Sequence, residues 1–263
     1  MLHVSSFGSS RLADRVLYKN DGEEGGKAPY APPPPPTTAS GLFDLGYAYY
    51  TGDGVARSYP EAEKYLRLAA AQDHAEAIYT LGCMHRFGHG VEKSDAEALK
   101  LFRRAADLGL AKAENELGFL YFHGHGVPQS TEEALRWFLL AARRGYAIAQ
   151  DNVGLLYEQK HTYRKAVTWY RRAARAGLAQ AQLHLGTMYE YGRGCRRSYR
   201  RAVFWYGRAA AQDHAASLYA FARMHEHGYG VRKELDTALR YYEKAAALGE
   251  EKAEQRLALL LGK

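Results

Sequence analysis

Eleven residues, Leu81 to Val91 (LGCMHRFGHGV), return along this chain at a nearly fixed interval. Leu45-Gly46 leads to Gly52-Asp53-Gly54-Val55, and Leu117-Gly118 to Gly124-His125-Gly126-Val127. Leu185-Gly186 leads to Gly192-Arg193-Gly194-Cys195, and Phe221-Ala222 to Gly228-Tyr229-Gly230-Val231. An Ala-Ala marker follows each time, at Ala69-Ala70, Ala105-Ala106, Ala141-Ala142, Ala173-Ala174, Ala209-Ala210 and Ala245-Ala246, in steps of 36, 36, 32, 36 and 36 residues. A period of this length means stacked supersecondary units, none of which buries its apolar face alone. Chain length then counts repeats rather than globular domains.

One repeat reads as two helices joined by a Gly-x-Gly-Val turn. In the second repeat Ala75, Ile78, Leu81, Gly82 and His85 fall at helical spacing. The small Ala75 and Gly82 let another helix approach closely, and Gly88 and Gly90 supply the positive φ of a helix C-terminus. Ser94 and Glu97 predict a capping box at the start of the second helix, as do Ser58 with Glu61 and Ser130 with Glu133. Ala98, Leu101, Phe102, Ala105 and Ala106 form its buried stripe, and Gly109 ends it. The fourth repeat is four residues short: Glu158 to Thr162 replaces the glycine turn, which predicts a tighter connection.

This pattern resembles the Sel-1-like repeat family, a branch of the tetratricopeptide superfamily. The resemblance rests on Leu-Gly-x-x-Tyr/His, on the Gly-x-Gly-Val turn, and on the aromatic residue followed by Ala-Ala and Gly. It covers residues 39–261, six repeats and a last helix around Gln255–Leu260. It implies an all-α fold, a right-handed α-solenoid of antiparallel helix pairs. It also implies a non-catalytic scaffold or adaptor that holds a protein or peptide in a concave groove lined by the first helices.

Residues 1–38 differ from the rest. They hold Ser-rich pieces, an acidic Gly-rich stretch at Asp21–Gly26 and five prolines at Pro32–Pro36, and read as a disordered, extended tail. No apolar run approaches the length of a membrane span. No basic-flanked apolar core marks a secretory signal. Two cysteines, Cys83 and Cys195, stand three repeats apart and read as free thiols. The family's secreted members staple their repeats with cysteine pairs, so their absence points to a reducing compartment, the cytoplasm. The Ser, Arg and apolar content of the first residues makes the mitochondrion the second reading. Cys195 lies beside Arg196 and Arg197, which favour a thiolate, but it stands where other repeats carry valine and reads as filler.

No chemistry-bearing constellation emerges. His123-x-His125 and His227 lack converging partners at ligand spacing, so no metal is expected. Gly88-x-Gly90 lacks the strand and third glycine of a dinucleotide loop. No nucleophile–base set or carboxylate pair is recognisable. The expectation is no catalytic residue, no cofactor and no enzyme.

Two surfaces remain. By resemblance to tetratricopeptide grooves, Phe43, Tyr47, Tyr50, Tyr79, Arg86, Phe87, Asn115, Phe119, Phe122, Tyr191, Tyr219 and Arg223 line the partner-binding groove. Cys83, Glu76, Asp151, Glu158, Glu190 and Glu226 share those positions and are expected to be exposed with them. Rings there suit peptide recognition, since they give contact area at low entropy cost. The second surface is electrostatic. Between Glu158 and Arg208 twelve basic residues face two acidic ones, while the whole chain carries +7. Arg193, Arg196, Arg197, Arg200 and Arg201 form its core. Lys165 and Arg201 take the third helical position, where earlier repeats carry Glu61, Glu97 and Glu133, and a cation there opposes the helix dipole. An acidic protein partner fits such a face. The alternative function is a binder of nucleic acid or of an anionic membrane surface through repeats four and five.

Overall fold

The structure is a computed structural model in which residues 36–262 are described. Nearly all of the expected proline-rich tail lies outside the described residues. Its last two residues join the first repeat: the Thr38 hydroxyl accepts from the Gly41 N–H at 3.2 Å, and the Gln72 amide donates to the Thr37 carbonyl at 3.1 Å.

Thirteen α-helices and no strand occur among the described residues. They are α1 (Ala39–Thr51), α2 (Tyr59–Ala70), α3 (Ala75–Phe87), α4 (Asp95–Asp107), α5 (Ala111–His123), α6 (Thr131–Arg143) and α7 (Ala147–Gln159). The rest are α8 (Tyr163–Arg175), α9 (Ala179–Tyr191), α10 (Tyr199–Ala210), α11 (Ala215–His227), α12 (Leu235–Ala247) and α13 (Glu251–Leu261). Odd-numbered helices are the first helices of repeats and even-numbered ones the second, as an α-solenoid of antiparallel helix pairs requires. Among the described residues no second helix follows α13. The residues divide into two compact bodies, 36–137 and 138–262, with the boundary inside α6.

Local chemistry sets each element. Helix α3 stops at Gly88, whose φ is 73° and whose N–H returns to the Met84 carbonyl at 2.8 Å. That left-handed cap suits glycine because a Cβ would be strained there. Ser94 then opens α4, its hydroxyl accepting from the Glu97 N–H at 3.2 Å. The reciprocal half of the expected capping box is not made. The Ser94 N–H donates instead to the His85 carbonyl at 2.8 Å, and Glu97 pairs with Lys100. Ser58 and Ser130 likewise donate to Tyr49 and Tyr121. The turn folds the serine N–H onto a carbonyl already fixed in the first helix, whereas a glutamate would have to surrender rotamer freedom to reach it. In the fourth repeat three residues, 160–162, connect α7 to α8, and His161 takes the positive φ (54°) that glycine supplies elsewhere.

Second helices bury one stripe and first helices bury two faces. In α4 the buried stripe is Ala98, Phe102, Ala105 and Ala106. Helix α9, packed between α8 and α10, buries Ala181, Gln182, Leu185, Gly186, Met188, Tyr189 and Glu190. The close approach expected at Gly82 is to the second helix of its own repeat: a Cβ there would stand 2.6 Å from the Phe102 ring. Gly186 receives the Tyr206 ring in the same way, at 2.5 Å. In the sixth repeat Ala222 takes this glycine's position.

Candidate functional site

The penultimate residue of each first helix occupies one structural slot: Tyr50, Arg86, Phe122, Glu158, Glu190 and Glu226. In repeats two to six the second helix carries a fully buried ring, Phe102, Phe138, Tyr170, Tyr206 or Tyr242, where the first repeat has Leu66, and it is a tyrosine wherever the slot is a glutamate. Tyr170, Tyr206 and Tyr242 donate their hydroxyls to Glu158, Glu190 and Glu226 at 2.8, 2.7 and 2.7 Å. Burial first, then the carboxylate beside them, raises all three phenol pKa values. The next first helix completes two of the sets, while Glu158 meets Arg193 of the following turn. Arg223 pairs with Glu190, and Arg256 with Glu226. The Arg256 hydrogen bond, with that of Tyr242, keeps the Glu226 carboxyl below the usual range despite burial.

In residues 36–137 the sign is reversed. Arg86 occupies the slot, Phe102 replaces tyrosine, and Glu116 of α5 supplies the anion. Both charged side chains are buried, at 7% and 2% exposure. The Arg86 guanidinium also lies 4.2 Å from the centre of the Phe119 ring.

These partnerships correct the expected exposure of several groove positions. Arg86, Asn115, Cys83, Asp151, Glu190 and Glu226 are buried, because inter-helix packing claims that face of the first helix. Asn115 is fully buried and cannot meet a partner in this state. The Asp151 side chain, 2% exposed, accepts from His184 Nδ1 at 2.9 Å. Burial disfavours the imidazolium, yet the Asp151 carboxylate holds the His184 pKa above its ordinary value.

The remaining groove candidates reach solvent. In residues 36–137 they form a row of rings. Phe43 meets Tyr47 at 5.6 Å and His74 at 4.7 Å, and Tyr47 meets Tyr50 at 6.3 Å. The Tyr50 hydroxyl bonds His89 Nδ1 at 2.9 Å, and His89 stacks on Phe87. Tyr47 (46%) and Phe87 (41%) are the exposed members. Tyr79 packs on Phe102, while Phe119 and Phe122 both contact His123. In residues 138–262 the structure brings Tyr191, Tyr219 and Arg223 together around an open depression of about 490 Å³, with Thr187, Tyr206 and Lys252.

The basic candidates are all exposed. Arg193 meets Glu158 at 3.5 Å, whereas Arg196, Arg197, Arg200 and Arg201 make no ion pair among the described residues. Several lie over rings instead: Arg193 over Tyr191, Arg197 over Tyr199 and Arg201 over Tyr189, at 5.3–5.5 Å. Lys165 lies over Tyr157 at 5.3 Å, so both first-turn cations find a ring that offsets the unfavourable dipole. Cys195 is half-buried, with its Sγ 3.5 Å from the Met188 carbonyl. Burial raises its thiol pKa, opposed by Arg171 and Arg201 rather than by the adjacent Arg196 and Arg197. Both cysteines are free.

Sequence reasoning missed the tyrosine–glutamate–arginine sets. Their signal was a tyrosine sixteen residues after a slot glutamate, at Glu190/Tyr206 and Glu226/Tyr242.

Six successive matches to the Sel1 repeat model cover residues 39–74, 75–110, 111–146, 147–178, 179–214 and 215–250. A Sel1 repeat protein from Oxalobacter formigenes is 31% identical, with 81% of this chain and 89% of that one covered and a TM-score of 0.77. A protective antigen of uropathogenic Escherichia coli with an SLR fold is 30% identical, with 86% of this chain covered and a TM-score of 0.76. This chain spans about half of that antigen's length, 49%. An immunity protein of Pseudomonas aeruginosa shares the fold at 20% identity, with 82% and 83% covered and a TM-score of 0.54. No curated protein matches the chain.

Proposed function

The chain belongs to the Sel1 repeat family, and on that premise we propose that it is a non-catalytic scaffold whose first-helix face holds a peptide segment of a partner protein. Sel1 repeats typically mediate protein–protein interaction. No helix among the described residues is long and apolar enough to cross a membrane.

The observation that carries this reading is the ring row of residues 36–137. Tyr47 and Phe87 present large apolar surfaces, and neighbouring rings hold both in place. A ring already fixed by packing loses little entropy on binding, which is what an interface anchor needs. Phe119 is a poorer anchor, since it covers the buried Arg86. An extended peptide with apolar side chains matches this row.

The test is a peptide-library selection on the full chain, followed by affinity measurement with Tyr47→Ala and Phe87→Ala. Each substitution should weaken selected peptides by about 1–3 kcal/mol with unchanged thermal unfolding. Peptides indifferent to both substitutions would remove the ring row from the binding surface.

A further inference from the structure

Adjacent repeats touch through their turns. In residues 138–262, Gly194 seats the fifth repeat's turn on the start of α8, where a Cβ would collide with the Tyr163 backbone. Gly230 seats the sixth repeat's turn on the start of α10, where a Cβ would stand 2.5 Å from the Tyr199 backbone. The rings of Tyr199 and Tyr229 stack across this contact, with centres 5.0 Å apart and planes 16° apart. Turn, helix start and next turn therefore form one continuous edge.

Cations dominate that edge from the start of α8 to the sixth repeat's turn, after which Glu234 and Asp236 open α12. Arg164 and Lys165 open α8, and Arg193, Arg196 and Arg197 follow in the turn seated on them. Arg200 and Arg201 open α10, and Arg232 and Lys233 lie in the next turn. All nine are exposed. The scaffold does not require this charge. In residues 36–137 Gly90 seats the second repeat's turn on α2 by the same contact. There the edge interleaves Glu61, Glu92, Asp95 and Glu97 with Arg57 and Lys93.

We propose that the turn edge of repeats four to six is a docking strip for single-stranded nucleic acid. Seven of its nine cations are arginines, whose planar fork binds phosphate oxygens in pairs. A row of such forks along successive repeats matches a backbone that carries one charge per nucleotide. Tyr191 (56% exposed) and Tyr229 (40%) stand among them, Tyr191 beneath Arg193 and Tyr229 with one face on Tyr199, and each keeps ring surface open to solvent. Stacking platforms interleaved with cations are how single strands are held without sequence preference. The carboxylate side chains of an acidic polypeptide would use the guanidinium groups but bring no aromatic face to these rings.

The test titrates the full chain into a fluorescein-labelled oligouridylate from about 50 to 200 mM salt. Log affinity should fall linearly with log salt. Replacing Arg196, Arg197, Arg200 and Arg201 together with Ser should make that slope shallower by about 3, at about 0.7 per phosphate contact. It should also weaken binding about tenfold or more at physiological salt. Tyr229→Ala should weaken binding about fivefold or more while leaving the slope unchanged. Should the quadruple variant unfold, the wild-type slope and Tyr229→Ala still decide the matter. No binding at the lowest salt would overturn the proposal. So would polyglutamate competing as well as oligouridylate while Tyr229→Ala has no effect, which identifies an acidic polypeptide site. Capture by phosphatidylserine vesicles but not by the oligonucleotide would reassign the edge to membrane surfaces.

Discussion

Residues 36–137 and 138–262 build the same repeat around opposite charges. In the first body the penultimate position of a first helix carries a charge once, at Arg86 between Tyr50 and Phe122, and the following repeat returns Glu116. In the second body it holds Glu190 above Tyr206, or Glu226 above Tyr242, and the following repeat returns Arg223 or Arg256. The geometry of the slot is therefore indifferent to sign. What it demands is neutralisation: a buried charge needs a counter-charge and hydrogen bonds, and an aromatic floor must carry a hydroxyl where the slot is an acceptor.

The largest expected effect tests that demand directly. Glu116→Ala leaves the Arg86 guanidinium, 7% exposed, without its counter-ion and should destabilise by about 3–5 kcal/mol in urea unfolding. Glu190→Ala should be milder, about 2 kcal/mol, because Arg223 is 26% exposed and can turn to water. Equal losses would mean that solvent access at the arginine does not distinguish the bodies.

A smaller effect comes from the glycines beneath the rings. Gly82→Leu and Gly186→Leu both force a ring out of its seat and should cost about 1–3 kcal/mol by thermal unfolding. The second should exceed the first by about 1 kcal/mol, since displacing Tyr206 also breaks its bond to Glu190 while Phe102 has none to lose. A neutral Gly82→Leu would show that the first helix does not face Phe102 as described.

The smallest effect is a pH response in the second body. Two imidazole–carboxylate pairs lie in 138–262, the closer being His184 with Asp151. His184 is packed near Asp151, Glu158 and His214. Its folded pKa lies above the ordinary 6.5. Its contribution is thus fully present below about 6.5 and is lost as pH rises through the folded value. NMR titration should place the His184 midpoint above 6.5, and Asp151→Asn should lower it. A midpoint unmoved by that substitution would break the assignment.

The fold was legible because periodicity repeats its own evidence. One Gly-x-Gly-Val turn is ambiguous, whereas four of them, a fifth that ends in Cys195 and an Ala-Ala marker in every repeat are not. The capping serines were equally readable, but the partner of the serine N–H was not, since the carbonyl that accepts it is a product of the turn geometry. Groove exposure was the least legible feature. Helical spacing places Arg86, Asn115 and Glu190 on the same face as Tyr47 and Tyr191, yet it does not show where the neighbouring helix covers that face. Charged residues read as exposed by default, and here the buried ones hide because each finds its counter-charge 30 or 33 residues away. The exposed arginine edge needed no such partner knowledge and was visible as composition.

The slot sets reach across repeat borders, and this limits how such a chain can evolve. Residues 69–75 recur as 209–215, the mark of copied blocks. Yet the fifth repeat without Arg223 behind it, or the sixth without Arg256, strands a buried carboxylate. The smallest heritable module is therefore not one repeat but a repeat with the first helix of its successor. Recombination at the repeat border, or within a second helix, would part a glutamate from its arginine, whereas a crossover in the last turn of a first helix, between Arg223 and Glu226, would keep both pairs together.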